Sequence, residues 1–132
     1  MKDSISYVKI RYAETDQMGI VHHGNYPQYF EIARIEWLER LGISYASMEK
    51  NGVMLPVYAL HIKYNVPLYF GNEIKIEVRL REAPNVKIIF DYTVYNEEEK
   101  KCCEASTILV FMNANTRKPI RCPQYILDKL SE

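Results

Sequence analysis

The chain has 132 residues, of which 48% are hydrophobic and 26% charged. That is the size and balance of one ordinary globular domain, expected to span residues 1–132. Its 17 Lys and Arg equal its 17 Asp and Glu, which excludes the basic surplus of a nucleic-acid binder and leaves self-association unopposed by long-range repulsion.

The three cysteines, Cys102, Cys103 and Cys122, are odd in number, two are adjacent, and no CxxC occurs. They read as free thiols of a reducing cytoplasm, not as a disulfide or zinc framework. The Met-Lys-Asp-Ser-Ile-Ser start has no signal-peptide character, and no apolar run approaches the ~20 residues of a membrane helix. A cytoplasmic protein with no membrane span is expected.

Ile5 to Arg11 is β-branched and aromatic and reads as a strand. A loop from Ala13 to Gly24 follows, with Gly19 and Gly24 supplying backbone freedom. Asn25 is positioned as an N-cap, and Pro27 suits a first helical turn. From there Tyr26, Phe30, Ala33, Trp37 and Leu41 recur at helical spacing. The helix should run to Leu41, stop at Gly42, and be buried over more than half its circumference, because Ile32 and Ile35 lie off the main stripe. Glu36 and Arg40 form an i,i+4 pair. Ser44 can cap a second, short helix ending at Asn51-Gly52.

The remainder alternates as strands. Val57 to Leu68 is one, then Ile74 to Leu80 after a Gly71-Asn72 turn, then Val86 to Tyr95 after Pro84-Asn85. A charged hairpin loop over Asn96 to Lys100 leads into a long strand from Cys102 to Asn113. A turn at Asn115 to Pro119 and a terminal helix over Pro123 to Leu130 close the chain. Segregated helix and strand argue for an α+β fold. One long apolar helix is the only element large enough to cover the sheet, so about five antiparallel strands should wrap around it.

The chemistry concentrates between Tyr12 and Arg34. Asp16 lies in the loop, where a carboxylate reaches a cleft without full desolvation and can act as general base or nucleophile. A few residues later the helix N-terminus presents unpaired N–H groups at the positive end of its dipole, a natural oxyanion site. Carboxylate plus oxyanion donor suffices for an activated acyl group such as a thioester. From spacing alone, a loop Asp after Thr is more often a turn or cap residue than a catalyst. His22 and His23 with Asp16 would be a poor metal set, since adjacent histidines seldom face one ion and no third lies near. No metal and no cofactor are expected. Tyr26, Phe30 and Trp37 read first as core residues, and Cys102 and Cys103 as inert strand residues.

Asp16-Gln-Met-Gly-Ile-Val-His-His-Gly-Asn-Tyr26, followed by Tyr29-Phe30-Glu31 and Ala33-Arg34, resembles the signature of the 4-hydroxybenzoyl-CoA thioesterase family of hotdog-fold proteins. Tyr64, Pro67 and Gly71-Asn72 are similar to that family's Tyr…Pro…Gly-Asp run, and Thr116-Arg117-Lys118-Pro119 with Pro123 to its closing segment.

The resemblance implies a hotdog sheet around the helix and hydrolysis of a short, medium or aromatic acyl-CoA to acid and CoA. It also implies a homodimer or homotetramer with active sites at the dimer interface. Asp16 matches the catalytic carboxylate and His23 the position whose N–H polarises the carbonyl and whose side chain, by the same resemblance, also assists in short-chain acyl-CoA relatives, with Tyr12 placed to orient Asp16. Gly19, Val21, Asn25 and Tyr26 fall around the substrate, and Met18 and Tyr64 shape the acyl pocket. The family's phosphate-gripping basic cluster is not reproduced near Ala83 to Val86, and Lys87, Arg79 and Arg81 are the substitutes by proximity. Asn72 replaces the turn's usual Asp, and a usual Gly is missing at Lys118. Acyl-carrier protein is an alternative donor. A non-catalytic acyl-binding domain is the rival function, and a hotdog dehydratase a third.

Overall fold

A computed structural model describes residues 3–132. The first two residues of the amino-terminal segment read above lie outside the described residues. The elements are β1 (Asp3–Lys9), α1 (Tyr26–Arg40), α2 (Tyr45–Lys50), β2 (Val53–Met54), β3 (Val57–Tyr64), β4 (Glu73–Leu80), β5 (Lys87–Tyr95), β6 (Lys101–Val110), β7 (Met112–Asn113) and α3 (Gln124–Leu130). Five strands form one antiparallel sheet in the order β1-β4-β5-β6-β3, and β2 pairs with β7 as a small ribbon.

The sheet curls around α1, which is the expected α+β arrangement. Along β4, Ile74, Ile76, Val78 and Leu80 are buried while their neighbours face outward, following the period-two alternation of the sequence. Ser4 and Ser6 are the buried residues of β1. Their small side chains let α1 approach that strand, where Arg40 donates to Ser4 Oγ and to the Ile5 carbonyl. Inside, Phe30 packs on Tyr92 and Trp37 meets Phe90 edge-on, with ring centroids 4.7 and 4.9 Å apart. Burial of each such side chain contributes roughly 1.5–3 kcal/mol.

Several expectations need correction. β1 starts at Asp3 and ends at Lys9, since the Ile10 N–H turns away to the Asn72 carbonyl. The helix buries Tyr29 and Leu38 beyond the main stripe, but Ile32 is 40% exposed, so the buried arc is narrower than supposed. β3 stops at Tyr64, because Asn65 and Val66 both donate to the Cys102 carbonyl. The long last strand is two strands broken at Phe111, whose N–H bonds Val86 and whose carbonyl accepts from Ile120.

Asn25 does not cap α1 with its side chain. It has helical backbone angles already, because a 3-10 turn over His23–Asn25 precedes the helix. The conformational load attributed to Lys118 falls on Arg117, which has a φ of 61°. Ser44 caps α2 as expected, its Oγ accepting from Ser47 N–H at 3.2 Å. Among the described residues no helix is long and apolar enough to cross a membrane.

Candidate active site

The loop before α1 is held by its own backbone. Asp16 N–H donates to the Ile20 carbonyl (2.8 Å) and Gly19 N–H to the Asp16 carbonyl (3.1 Å). The Asp16 side chain tightens this turn, Oδ1 accepting from Met18 N–H (2.8 Å) and Ile20 N–H (3.3 Å). Gly19 sits at φ 76°, which a side chain would strain. Gly24 has ordinary backbone angles. Its role is close approach, because a Cβ there would meet His22 Nδ1 at 3.1 Å.

That contact has a purpose. His22 Nδ1 accepts from Gly24 N–H at 3.0 Å and so caps the turn leading into α1. His22 is thus a structural residue. The next N–H, that of His23, finds no acceptor among the described residues. It stands just before the helix, at the positive end of its dipole.

Val21, His23, Tyr26 and Tyr64, all marked from the sequence, line one open cleft of about 320 Å³, with Ile20, Asn65, Val66 and Pro67 completing its walls. Tyr64 Oη donates to the His23 carbonyl at 2.9 Å, and its ring meets that of Tyr26 edge-on at 4.8 Å. Tyr64 thereby pins the turn from the β3 side. Asp16 is exposed and one hydrogen bond from Ile20 in the cleft wall. Met18, 75% exposed, shares its turn.

Asp16, Met18 and Gly19 lie in the adjoining turn and do not line the cleft, and three more marked residues stand farther off. Tyr12 packs edge-on against Phe70 at 5.5 Å and makes no hydrogen bond to Asp16; backbone N–H groups orient that carboxylate instead. Asn25 Nδ2 donates to the Glu14 carbonyl at 2.8 Å and supports the loop from behind. Lys87 lies over the Tyr58 ring, 5.3 Å from its centroid. β5 aligns Val94 with Cys103, and Cys103 aligns with Tyr64. Lys87 is seven residues further along β5, about 23 Å from Tyr64 at strand spacing.

Sequence reading missed Glu14. It is only 6% exposed, yet its carboxylate accepts from Arg11 N–H (3.0 Å), Arg11 Nε (2.5 Å) and Tyr29 Oη (2.9 Å). Its carbonyl accepts from His22 N–H (2.9 Å) and Asn25 Nδ2. One residue therefore ties the end of β1, the loop that carries Asp16 and the first turns of α1 together. Burial alone would push the Glu14 carboxyl up; the Arg11 N–H and guanidinium, with the Tyr29 hydroxyl, outweigh it and hold the group below its ordinary value. The only spacing signal was Glu14 lying three residues after Arg11.

Cysteine offers no nucleophile here. Cys103 is the thiol nearest Tyr26 and Tyr64, it is fully buried, and burial pushes it up to about 12. It stays protonated and unreactive at neutral pH.

Comparison with known proteins fits this geometry. The family described as "Thioesterase-like superfamily" matches residues 10–130. A Bacillus subtilis (strain 168) protein named "Putative acyl-CoA thioesterase YneP" is 34% identical over 114 residues, covering 86% of this chain and 83% of its own. The crystal structure of a DHNA-CoA thioesterase from Staphylococcus aureus superposes with a TM-score of 0.92 at 35% identity, over 99% of this chain and 88% of that one. A Thermus thermophilus protein of undefined role, TT1821, gives 0.90 at 37% identity, over 97% of each chain. A fold wrapped on one helix, a free N–H at the helix mouth and a match over almost the whole length agree: the chain belongs to the thioesterase-like superfamily and is a hotdog-fold thioesterase.

Proposed function

We propose that this protein hydrolyses acyl-CoA thioesters, with short, medium or aromatic acyl groups, to free acid and CoA. Asp16 Oδ2, which makes no hydrogen bond within the turn, attacks the carbonyl carbon or takes a proton from water. The His23 N–H stabilises the oxyanion, and the C–S bond breaks with thiolate leaving. On either route one water is consumed and one carboxylic acid and one thiol are released. The observation that carries this reading is a half-free carboxylate one hydrogen bond from a cleft whose mouth holds an N–H without an acceptor. Gly19 shapes the Asp16 turn, and Met18, Val21, Tyr26 and Tyr64 bound the acyl entrance.

The working unit in this reading is a dimer paired along β3. This eight-residue strand is a sheet edge, and Val57, Tyr58, Leu60 and Tyr64 on it are 49%, 69%, 41% and 46% exposed. A long, exposed apolar edge is built to pair. A two-fold axis through an antiparallel β3 pair carries the Val57 end of one strand to the Tyr64 end of the other. Each cleft is then completed by Tyr58 and Lys87 of the partner subunit, which gives Lys87 the CoA phosphates despite its distance within its own chain.

To test the activity, the purified protein is incubated with a panel of acyl-CoA and acyl-carrier-protein thioesters, DHNA-CoA included, while thiol release is followed. Turnover of at least one member is expected; saturable binding with no thiol release from any would refute hydrolysis. Leu60→Arg tests the shared site. The wild type should sediment as two chains or a multiple of two, and the variant as single chains with reduced turnover. Full activity from a single-chain wild type would rule out pairing.

A further inference from the structure

Two further cavities lie along the flank of α1. The nearer, about 160 Å³, is lined by Pro27, Phe30, Glu31, Arg34, Leu60 and Thr107. The farther, about 150 Å³, is walled by Ile35, Leu38, Leu55, Phe90 and Leu109, with Tyr45 at its side. Glu31 and Arg34 line both cavities, so these two side chains are the partition between them.

Arg34 is a fixed partition. Its Nη1 donates to Tyr92 Oη at 3.2 Å, and that buried hydroxyl shares a 2.7 Å hydrogen bond with Thr107 Oγ1. No carboxylate lies within ion-pairing distance of Arg34 among the described residues. The guanidinium is therefore tethered inward to the sheet and not engaged with a surface partner. Glu31 stands three residues before it, on the same face of the helix.

Resting on the thioesterase reading, we infer that the groove along α1 is the acyl channel and that Arg34 is its end stop. The nearer cavity includes Pro27, which follows Tyr26 of the cleft wall in sequence; in this proposal an acyl group whose carbonyl meets the His23 N–H extends along α1 into it. From His23 to Glu31 is about 12 Å along the helix at 1.5 Å per residue. A ring system or short chain fits that length. A longer chain meets the charged partition. To pass, it must press methylenes against a guanidinium and an exposed carboxylate, and pull Arg34 from Tyr92, leaving buried polar groups with fewer partners. The farther cavity is then space the enzyme possesses and its wild-type substrates do not enter. Acyl length is set by one side chain and its tether.

The experiment compares wild type, Arg34→Ala, Arg34→Gln and Arg34→Met on straight-chain acyl-CoAs from butyryl to palmitoyl, reading kcat/KM against length. Arg34→Ala removes the partition and should raise the long-to-short ratio about tenfold or more. Arg34→Gln, shorter but still able to donate toward Tyr92, should shift the ratio in the same direction by less. Arg34→Met keeps the length of the side chain without its charge, and should fall between wild type and Arg34→Ala. Circular dichroism checks folding, and if Arg34→Ala does not fold, Arg34→Gln decides. Folded, active variants with the wild-type length profile would overturn the end stop. A wild type inactive on every acyl-CoA would instead refute the thioesterase reading, so the two failures are distinct.

Discussion

Asp16→Asn is expected to lower kcat by about 10²- to 10⁴-fold, the range for loss of a positioned acid–base group, with the fold and KM little changed. The substitution is clean for a geometric reason. Asn keeps an acceptor oxygen for Met18 and Ile20 N–H, so the turn survives. What changes is the other oxygen, which becomes an amide that neither attacks a carbonyl nor takes a proton. Asp16→Ala removes both functions and should also loosen the turn. His23→Ala is the instructive contrast: the backbone N–H remains, so the loss should stay within about tenfold, well short of what removing an oxyanion donor costs. Thiol release at saturating acyl-CoA measures all three. An Asp16→Asn enzyme retaining more than a tenth of wild-type kcat would remove Asp16 from the chemistry.

Glu14→Ala should be the most destabilising change in the loop, at about 3 kcal/mol. It leaves the Tyr29 hydroxyl, on a residue 1% exposed, and the Arg11 N–H without their acceptor, each such orphan costing about 1–3 kcal/mol. Glu14→Gln retains an acceptor for Tyr29 and loses only the charge facing Arg11, so about 1 kcal/mol is expected. The pH dependence separates charge from packing. The folded-state value of Glu14 lies below the ordinary 4.5. Its ionic contribution is therefore complete above 4.5 and is lost as pH falls through the folded value. Urea unfolding at neutral pH and at about pH 3.5 should show the gap between wild type and Glu14→Gln narrowing on acidification. A gap that widens would contradict the assignment.

Much of this was legible in the sequence because periodicity reports burial directly. The Tyr26–Phe30–Ala33–Trp37 stripe and the alternation of Ile74 to Leu80 each name their own inward face. The cleft residues Val21, His23, Tyr26 and Tyr64 were legible through resemblance. What stayed hidden were pairings between elements. Glu14 looks like any loop carboxylate until Tyr29 and Arg11 close on it. Asn25 looks like a cap, but the cap is His22, and only the absent Cβ of Gly24 makes room for that imidazole. The break at Phe111 leaves no periodic trace, because residues on both sides of it remain strand-like. Lys87 was marked for its charge, and strand register then put it at the end of β5 far from Tyr64.

The turn that carries Asp16 is stitched to the rest of the protein almost wholly by main-chain bonds. Val21 N–H reaches the Leu68 carbonyl, Phe70 N–H reaches that of Gly19, and bridges join Thr15 to Val21 and Ile20 to Tyr69. Main-chain bonds do not depend on which side chain a residue bears. Gln17 and Met18, whose side chains point into solvent, can therefore be exchanged to reshape the entrance while the carboxylate stays where it is. On the proposed reading, substrate preference and catalytic placement become separately adjustable in this loop.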